Sequence, residues 1–230
     1  MSQRIIHLVR HGQIDPSSPV PGPLEWGLTA FGRQQAALTA ERLRHVPATC
    51  IHHSPALRAT ETATLIATQL PGIPLRASPL LLECVGYVPP MVRDWLAQRE
   101  HEPPDHNQRE VPAALQPWLA LWAQRVALDE VVKGETQAQQ VFDTYFPAAG
   151  AVVEHEIVVS HCALIAYLVC RVLQVPLEVW RTLEMYNCGI SEVLVEASGQ
   201  MRLLSFNDTG HLPYRMRTSN EVYMRWFEQL

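Results

Sequence analysis

Short apolar runs predict the strands of this chain. The run Arg4-Ile-Ile-His-Leu-Val9 is rich in β-branched and apolar side chains, and it ends abruptly at Arg10-His11-Gly12. Runs of this length that are bounded by a change in composition are typical of strands buried in a sheet. By the same criteria we predict further strands at 48–53, within 74–82, and at 156–160, 191–195 and 201–206.

Helices are predicted between these strands. Thr29 is a suitable N-cap for a helix over 30–44, whose small and apolar residues share one face. Ser54 and Pro55 suit the N-cap and the first position of a helix over 55–70. Prolines exclude regular helix from the loop at 14–28, which precedes the first of these two helices. Further helices are predicted at 91–98, 112–128, 136–145 and 163–173.

The chain shows no boundary between two domains. Its 230 residues, 47% of them hydrophobic, are enough to bury a sizeable core. We find no internal repeat, low-complexity segment or shift in composition. The pattern of elements weakens after Glu83, where Pro89-Pro90 and Pro103-Pro104 interrupt it. We therefore predict one domain over 1–230 that carries an insertion.

The charge of the chain restricts its partners. The net charge is −5 at pH 7, whereas nucleic acid and anionic membranes favour basic surfaces. No stretch approaches the ~18 consecutive apolar residues of a membrane span, and the first residues lack the apolar region of a secretory signal. We therefore expect neither nucleic acid nor a membrane as a main partner, so any anion site must be a local basic cluster.

Charged and nucleophilic side chains follow three of the predicted strands. Arg10 and His11 end the first strand, Arg58 lies in the first turn after the second, and His161 follows the strand at 156–160. Ligands of open α/β sheets bind beyond the carboxyl ends of the strands, where helices begin with free N–H groups. If these strands are parallel neighbours, two arginines and two histidines meet in one pocket. Such a pocket suits a dianionic phosphoryl group, because arginine donates fork-like hydrogen bonds and histidine can attack phosphorus or stabilise charge.

Several motifs resemble those of the histidine phosphatase superfamily, which includes the cofactor-dependent phosphoglycerate mutases. They are Leu8-Val-Arg-His-Gly12, Ser54-Pro-Ala-Leu-Arg-Ala-Thr-Glu-Thr-Ala63 and Val158-Val-Ser-His161, and the stretch from Leu28 to Ala36 is similar to the start of the family's first helix. The resemblance runs in order from residue 4 to about residue 214. The final third is most similar to the mitochondrial serine/threonine phosphatase branch, at Tyr167–Gln174, Asn187–Ser191 and Asn207–Pro213.

The resemblance implies a fold and a mechanism. The fold is a three-layer α/β/α sandwich with a mostly parallel central sheet, as in phosphoglycerate mutase-like proteins, and with a cap insertion at about 83–135. His11 would attack phosphorus to give a phosphohistidine, and Glu83 would be the general acid. The phosphate would be bound by Arg10, Arg58, His161 and the backbone N–H of Cys162, with His161 also taking part in catalysis. This chemistry needs neither a metal nor a cofactor.

The sequence favours hydrolysis but leaves two alternatives open. Gln13-Ile-Asp-Pro-Ser-Ser lacks the Asn that mutases usually carry there, and the chain lacks their Glu-Arg-x-Tyr-Gly segment. A mutase must retain and reorient a bisphosphate, so these departures favour hydrolysis of a phosphorylated metabolite or phosphoprotein. A further departure, Ala166 in place of a common Arg, affects substrate or packing contacts outside the phosphate pocket. The alternatives are a phosphoglycerate-type mutase and a phosphate-binding module with little turnover, and a homodimer is left open.

The cysteines and the remaining histidines receive structural interpretations. The five cysteines are odd in number and show no CxxC spacing. We therefore predict free thiols in a reducing cytoplasm, and no zinc site. Structural roles are favoured for His52 and His53, whereas a role of His211 in lining the pocket is an open alternative.

Overall fold

The protein is described by a computed structural model over residues 3–14, 24–84, 87–98, 115–116, 128–150 and 153–219. Within these residues, six strands form one sheet: β1 (Gln3–Arg10), β2 (Ala48–His53), β3 (Leu75–Ala77), β4 (Glu154–Ser160), β5 (Ile190–Glu196) and β6 (Met201–Asp208). The described α-helices are α1 (Ala30–Leu43), α2 (Leu57–Ala67), α3 (Pro90–Gln98), α4 (Leu128–Tyr145) and α5 (Cys162–Leu173). No helix in the described part of the chain is both long and apolar enough to cross a membrane.

The order of the strands brings three carboxyl ends to one edge. The strands lie in the order β3-β2-β4-β1-β5-β6. β4 pairs in parallel with both β1 and β2, and β3 pairs in parallel with β2. β5 and β6 complete the sheet with antiparallel pairing. The predicted mostly parallel sheet is therefore confirmed, and β1, β2 and β4 end side by side.

Helices cover both faces of the sheet. On one face, Ile6 and Leu8 of β1 pack with apolar side chains of α4 and α5. On the other face, Val9 packs with side chains of α1 and α2. Successive side chains of a strand point to opposite faces, so a strand covered on both sides is apolar at consecutive positions. This arrangement is the predicted three-layer α/β/α sandwich.

Two predicted elements begin or end elsewhere. The helix predicted over 55–70 is α2, which begins at Leu57, because the Ser54 hydroxyl accepts the Ala56 N–H at 3.2 Å and holds the chain in a turn. Within 74–82, only Leu75–Ala77 is strand, and a 3-10 helix at Pro79–Leu81 follows. Pro79 lacks the N–H that a longer strand would need.

The insertion is described in part. α3 agrees with the helix predicted at 91–98, and α4 begins before the predicted 136–145. The helix predicted at 112–128 lies almost entirely outside the described residues. The single-domain organisation and the extent of the cap stay predictions.

Candidate active site

The loop after β1 brings His11 to the carboxyl edge of the sheet. Its backbone N–H donates to the Ser160 carbonyl at the end of β4, at 3.0 Å. The next residue is Gly12, where a side chain would not fit, because a Cβ there would lie 2.6 Å from the carbonyl oxygen of Gly32 in α1. The close contact between this loop and α1 therefore sets the position of His11.

The imidazole of His11 is held at both ring nitrogens. Nδ1 lies 2.8 Å from the Gly12 carbonyl oxygen, so we assign the ring proton to Nδ1, which donates it. Nε2 is then unprotonated, and it accepts a hydrogen bond from Arg58 Nε at 3.2 Å. A neutral imidazole in this tautomer carries its lone pair on Nε2, as a nucleophile must.

Arg58 connects His11 to His161. This arginine lies in the first turn of α2, and only 7% of it is exposed. Its Nη2 donates to His161 Nδ1 at 3.1 Å, and His161 Nε2 lies 2.8 Å from the Ser54 hydroxyl. The rings of His11 and His161 meet edge to face, with their centroids 5.1 Å apart. The ends of β1, β2 and β4 thus contribute to one buried group.

Arg10 is the second buried arginine of this group. It is 2% exposed, and its Nη1 donates to the backbone carbonyl of Met185, in the segment before β5. Burial of a charged group is costly, so two buried guanidinium groups beside imidazole rings strongly favour an anion. The predicted convergence of Arg10, His11, Arg58 and His161 is what the structure contains.

The surroundings keep both imidazoles neutral. Burial is the largest cause that holds the pKa of His11 well below its ordinary value, followed by repulsion from His161 when both rings are protonated and by the charges of Arg10 and Arg58. For His161, burial again comes first, and then Arg58 and Arg10 lower the pKa further. A proton on either ring would lie among cations away from water. His11 therefore presents a free lone pair at neutral pH.

Glu83 lies beside the start of α5. Its Oε1 accepts the Leu164 N–H at 3.2 Å, so the carboxyl group caps a helix whose N-cap residue, His161, makes no side-chain cap bond. The preceding backbone is fixed by Gln137, whose Nε2 donates to the carbonyls of Leu80 and Leu82 at 2.9 and 2.8 Å. The carboxyl group is thereby held where the charges of Arg58 and Arg10 act on it.

The protonation of Glu83 is balanced between opposing effects. Burial of the carboxyl group is the largest, and it raises the pKa, whereas the Leu164 N–H and the charges of Arg58 and Arg10 lower it; the net shift is upward. The residue as a whole is nevertheless exposed. Contact with water screens these effects, so we expect a smaller rise than a fully enclosed carboxyl would show. A raised pKa is what a general acid requires.

Cys162 begins α5 directly after His161. Burial raises the pKa of its thiol to about 11, so the thiol stays protonated at neutral pH and is a poor nucleophile. Its backbone N–H belongs to the first turn of α5, whose free N–H groups and positive dipole end favour an anion. The predicted contact of this N–H with phosphate stays a prediction.

Several residues of the site were not predicted as such. Ser54 was interpreted as a helix cap; its hydroxyl accepts the Ala56 N–H and also bonds His161. Thr62 accepts the Gly12 N–H at 3.1 Å, and Asn187 donates to the His11 carbonyl at 3.1 Å. All three lie inside motifs that carry the family resemblance, which was the available signal. Their polar side chains were not assigned partners, because those partners are distant along the chain.

His52, His53 and His211 have partners other than the four residues Arg10, His11, Arg58 and His161. His52 Nε2 lies 3.5 Å from Glu156, and His53 Nδ1 lies 2.8 Å from the Ser54 carbonyl. These are the structural roles that were favoured. His211 contacts the hydroxyl of Thr39 in α1 at 3.0 Å, a contact within the fold that leaves its role in lining the pocket undecided.

The group at the carboxyl edge can bind a phosphoryl dianion next to the lone pair of His11 Nε2. Comparison with a known family agrees with this chemistry. Residues 6–209 match the histidine phosphatase superfamily, branch 1. The chain belongs to this superfamily, as its motifs predicted. Members of the family typically react through a phosphohistidine.

Two curated relatives and one solved structure that resemble this chain are named as phosphatases. The chain is 32% identical over 215 residues to the mitochondrial serine/threonine-protein phosphatase PGAM5 of Mus musculus, covering 91% of this chain and 64% of that protein. It is 30% identical over 212 residues to mitochondrial Pgam5 of Caenorhabditis elegans, with the same coverage of 91% and 64%. The solved structure of a mycobacterial glucosyl-3-phosphoglycerate phosphatase superposes with a TM-score of 0.61 at 25% identity, covering 90% of this chain and all of that one. The chain thus spans slightly less than two thirds of these curated relatives.

The prediction of a cytoplasmic location is wrong. The two curated relatives are both named as mitochondrial proteins. The prediction rested mainly on reduced cysteines, and all five are indeed free. Free thiols are compatible with any reducing compartment, so they do not distinguish one such compartment from another.

Proposed function

We propose that this chain is a metal-independent phosphatase that hydrolyses phosphate monoesters through a phosphohistidine on His11. The observation that carries the proposal is the geometry of the His11 imidazole, whose Nδ1 lies 2.8 Å from the Gly12 carbonyl oxygen and whose Nε2 lies 3.2 Å from Nε of Arg58. A phosphoryl dianion attracted to Arg10 and Arg58 arrives next to the lone pair of this Nε2. The charge that binds the substrate therefore also brings phosphorus to the nucleophile.

In the first half of the reaction, His11 Nε2 forms a bond to phosphorus while the bond to the leaving-group oxygen breaks. Arg58 gives up its hydrogen bond to Nε2 of His11 and donates instead to the phosphoryl oxygens, where the charge of the transition state is spread. This exchange releases Nδ1 of His161, and the adjacent dianion favours uptake of a proton from solvent at that nitrogen, which then donates to the phosphate. Protonated Glu83 transfers its proton to the leaving oxygen, so the product departs as a neutral alcohol.

In the second half, the Glu83 carboxylate accepts a proton from water. The water oxygen attacks phosphorus, and the bond between phosphorus and Nε2 breaks. His11 returns to its neutral tautomer because Nδ1 keeps its proton on the Gly12 carbonyl throughout, at 2.8 Å. Orthophosphate is released, and Glu83 is again protonated for the next cycle.

The proposed substrate is a phosphorylated protein side chain or a small phosphorylated metabolite. The names of a curated relative and of a solved structure cover these two classes. That both are named phosphatases favours hydrolysis over mutase-type transfer. A phosphate-binding module would not need a carboxyl group beside the pocket, whereas the Leu164 N–H holds Glu83 there. Association as a homodimer stays a prediction.

Turnover and trapping of the intermediate test this proposal. We expect release of p-nitrophenol from p-nitrophenyl phosphate. We also expect enzyme quenched during turnover of a phosphate-labelled ester to carry label that is lost in acid and kept in alkali, as a phosphoramidate bond requires. The His11→Ala variant should carry no label. Protein that binds orthophosphate but shows neither turnover nor label would be a binding module, and an acid-stable label would place the nucleophile elsewhere.

A further inference from the structure

Hydrogen bonds of Gln35 connect the segment 216–218 to the loop that carries His11. The Gln13 backbone N–H donates to Oε1 of Gln35 in α1 at 2.9 Å. Nε2 of Gln35 in turn donates to the Thr218 hydroxyl at 2.9 Å and to the Met216 carbonyl at 2.6 Å. Gln35 is fully buried, so these are the partners that satisfy its amide. One side of the loop is therefore tied to Thr218 through a single side chain.

The other side of the loop is tied to the same hydroxyl. The Thr218 hydroxyl donates to Oδ1 of Asn187 at 3.0 Å, and Nδ2 of Asn187 donates to the His11 carbonyl at 3.1 Å. The backbones are joined as well, since the Asn187 N–H donates to the Thr218 carbonyl at 2.7 Å. The hydrogen bonds thus form a ring that begins at Gln13, passes through Thr218 and ends at His11.

The Thr218 hydroxyl joins the two amides. An amide side chain has an acceptor oxygen and a donor nitrogen. The Gln13 N–H and the Met216 carbonyl orient the Gln35 amide, and the His11 carbonyl orients that of Asn187; the hydroxyl accepts from the first and donates to the second, so it holds both amides in these orientations. An Asn187 amide turned the other way would set its oxygen against the His11 carbonyl oxygen. Two buried acceptors in contact are unfavourable, and a network that loses one member weakens as a whole.

We propose that Thr218 is a positioning residue for the nucleophile, acting on His11 through Asn187 and Gln35. The proposal rests on the proposed role of His11. Thr218 does not contact the rings of the site; its hydroxyl fixes the backbone on both sides of Gly12. The distance between Nε2 and phosphorus in the bound substrate depends on that backbone. Arg58 lies on α2, and Arg10 is held within β1 before the loop begins, so loss of the hydroxyl should affect the chemical step more than binding.

Isosteric replacement tests the proposal. Thr218→Val removes the hydroxyl and keeps the shape, and Thr218→Ser keeps the hydroxyl. We expect Thr218→Val to lower kcat by about 10- to 100-fold, because small displacements of a reacting atom have effects of this size. KM and inhibition by orthophosphate should stay near the wild-type values, and Thr218→Ser should restore kcat. The matched control is Thr49→Val, which removes a hydroxyl that donates to the His155 carbonyl at 3.1 Å near the start of β2.

A spectroscopic measurement separates this proposal from the proposed function. Nitrogen NMR of the His11 ring reports its tautomer without turnover, and we expect one Nδ1-protonated form in the wild type and an exchanging mixture in Thr218→Val. If the wild type shows no turnover, the proposed function fails, and the ring spectra alone decide on Thr218. If Thr218→Val does not fold, Thr218→Ala takes its place. The proposal is overturned if kcat falls no more than in Thr49→Val, if Thr218→Ser loses as much as Thr218→Val, or if the ring spectra are identical.

Discussion

The body of the sheet and its carboxyl edge both contain arginine and histidine side chains, but different groups face them. Within the sheet, Arg4 of β1 forms an ion pair with Glu156 of β4. His7 of β1 lies 3.0 Å from the carboxylate of Glu192 in β5. Hydrogen bonds from the neighbouring His52 and from Arg4 outweigh the effect of burial, so the pKa of Glu156 lies below its ordinary value. Arg4, His7 and His52 each have a carboxylate beside them.

At the carboxyl edge the same residue types also donate hydrogen bonds to neutral groups. Arg58 donates to the imidazoles of His11 and His161, and Arg10 donates to a backbone carbonyl. These hydrogen bonds orient the arginines and contribute no negative charge. The comparison shows that arginine and histidine do not by themselves make an anion site. The groups opposite them decide whether they stabilise the fold or attract a ligand.

Removal of a histidine from each region should give opposite results, and the effect on catalysis is the largest we expect. His11→Ala removes the nucleophile and should lower kcat/KM by at least about 10³-fold with little change in the unfolding temperature. His7→Ala should keep the activity and lower the free energy of unfolding by about 1–3 kcal/mol, because Glu192 loses a buried partner. Steady-state kinetics and thermal unfolding measure both. More than a few per cent of activity in His11→Ala would contradict the assignment of the nucleophile.

Carboxylates of the two regions can be compared in the same way. Glu83→Gln keeps the size of the side chain but cannot deliver a proton, so hydrolysis of alkyl phosphates should fall by about 10²- to 10⁴-fold. The loss on p-nitrophenyl phosphate should be much smaller, because its phenolate leaves without protonation. Glu156→Gln should lower stability and leave both activities near wild type. Equal losses of Glu83→Gln on both substrates would show that another group, His161 first, protonates the leaving oxygen.

The dependence of activity on pH should reflect the shifted pKa values of His11 and Glu83 at the carboxyl edge. The lowered pKa of His11 keeps its lone pair free, so kcat should fall only at a pH well below its ordinary value of 6.5. The raised pKa of Glu83 should make kcat for alkyl phosphates decline as pH rises through that pKa. This decline should be absent for p-nitrophenyl phosphate. Ionisation of the substrate's phosphate affects the pH profiles of both substrates, so it does not produce this difference. Identical profiles for the two substrates would contradict the role of Glu83.

The smallest effect we expect is that of a chelator. Two arginines and a second histidine supply the positive charge that a metal would otherwise provide, so EDTA should leave kcat unchanged. Vanadate and orthophosphate should inhibit competitively, since they would occupy the same pocket. A strict requirement for an added divalent metal would contradict this interpretation.

The elements of the fold and the main residues of the site were predictable because their signals are local. β1 was recognised from consecutive apolar residues, and Arg10 and His11 stood out because they follow it directly. Arg58 and His161 were recognised by the same relation to β2 and β4. The start of α2 was not, because Ser54 looks like a cap in sequence, whereas its hydroxyl holds the chain in a turn at Ala56 and contacts His161, which follows β4.

What the sequence determined by itself is therefore the strands, the helices and the residues placed where each strand ends, since these depend on neighbours within a few positions. Tertiary structure decided that β4 lies between β1 and β2, and thus that the three strand ends meet. It also decided that Arg4 faces a carboxylate and Arg58 faces imidazoles, and that the Thr218 hydroxyl connects Gln35 to Asn187. Hydrogen bonds and charges act through space between residues far apart in sequence, so their partners exist only once the chain has folded.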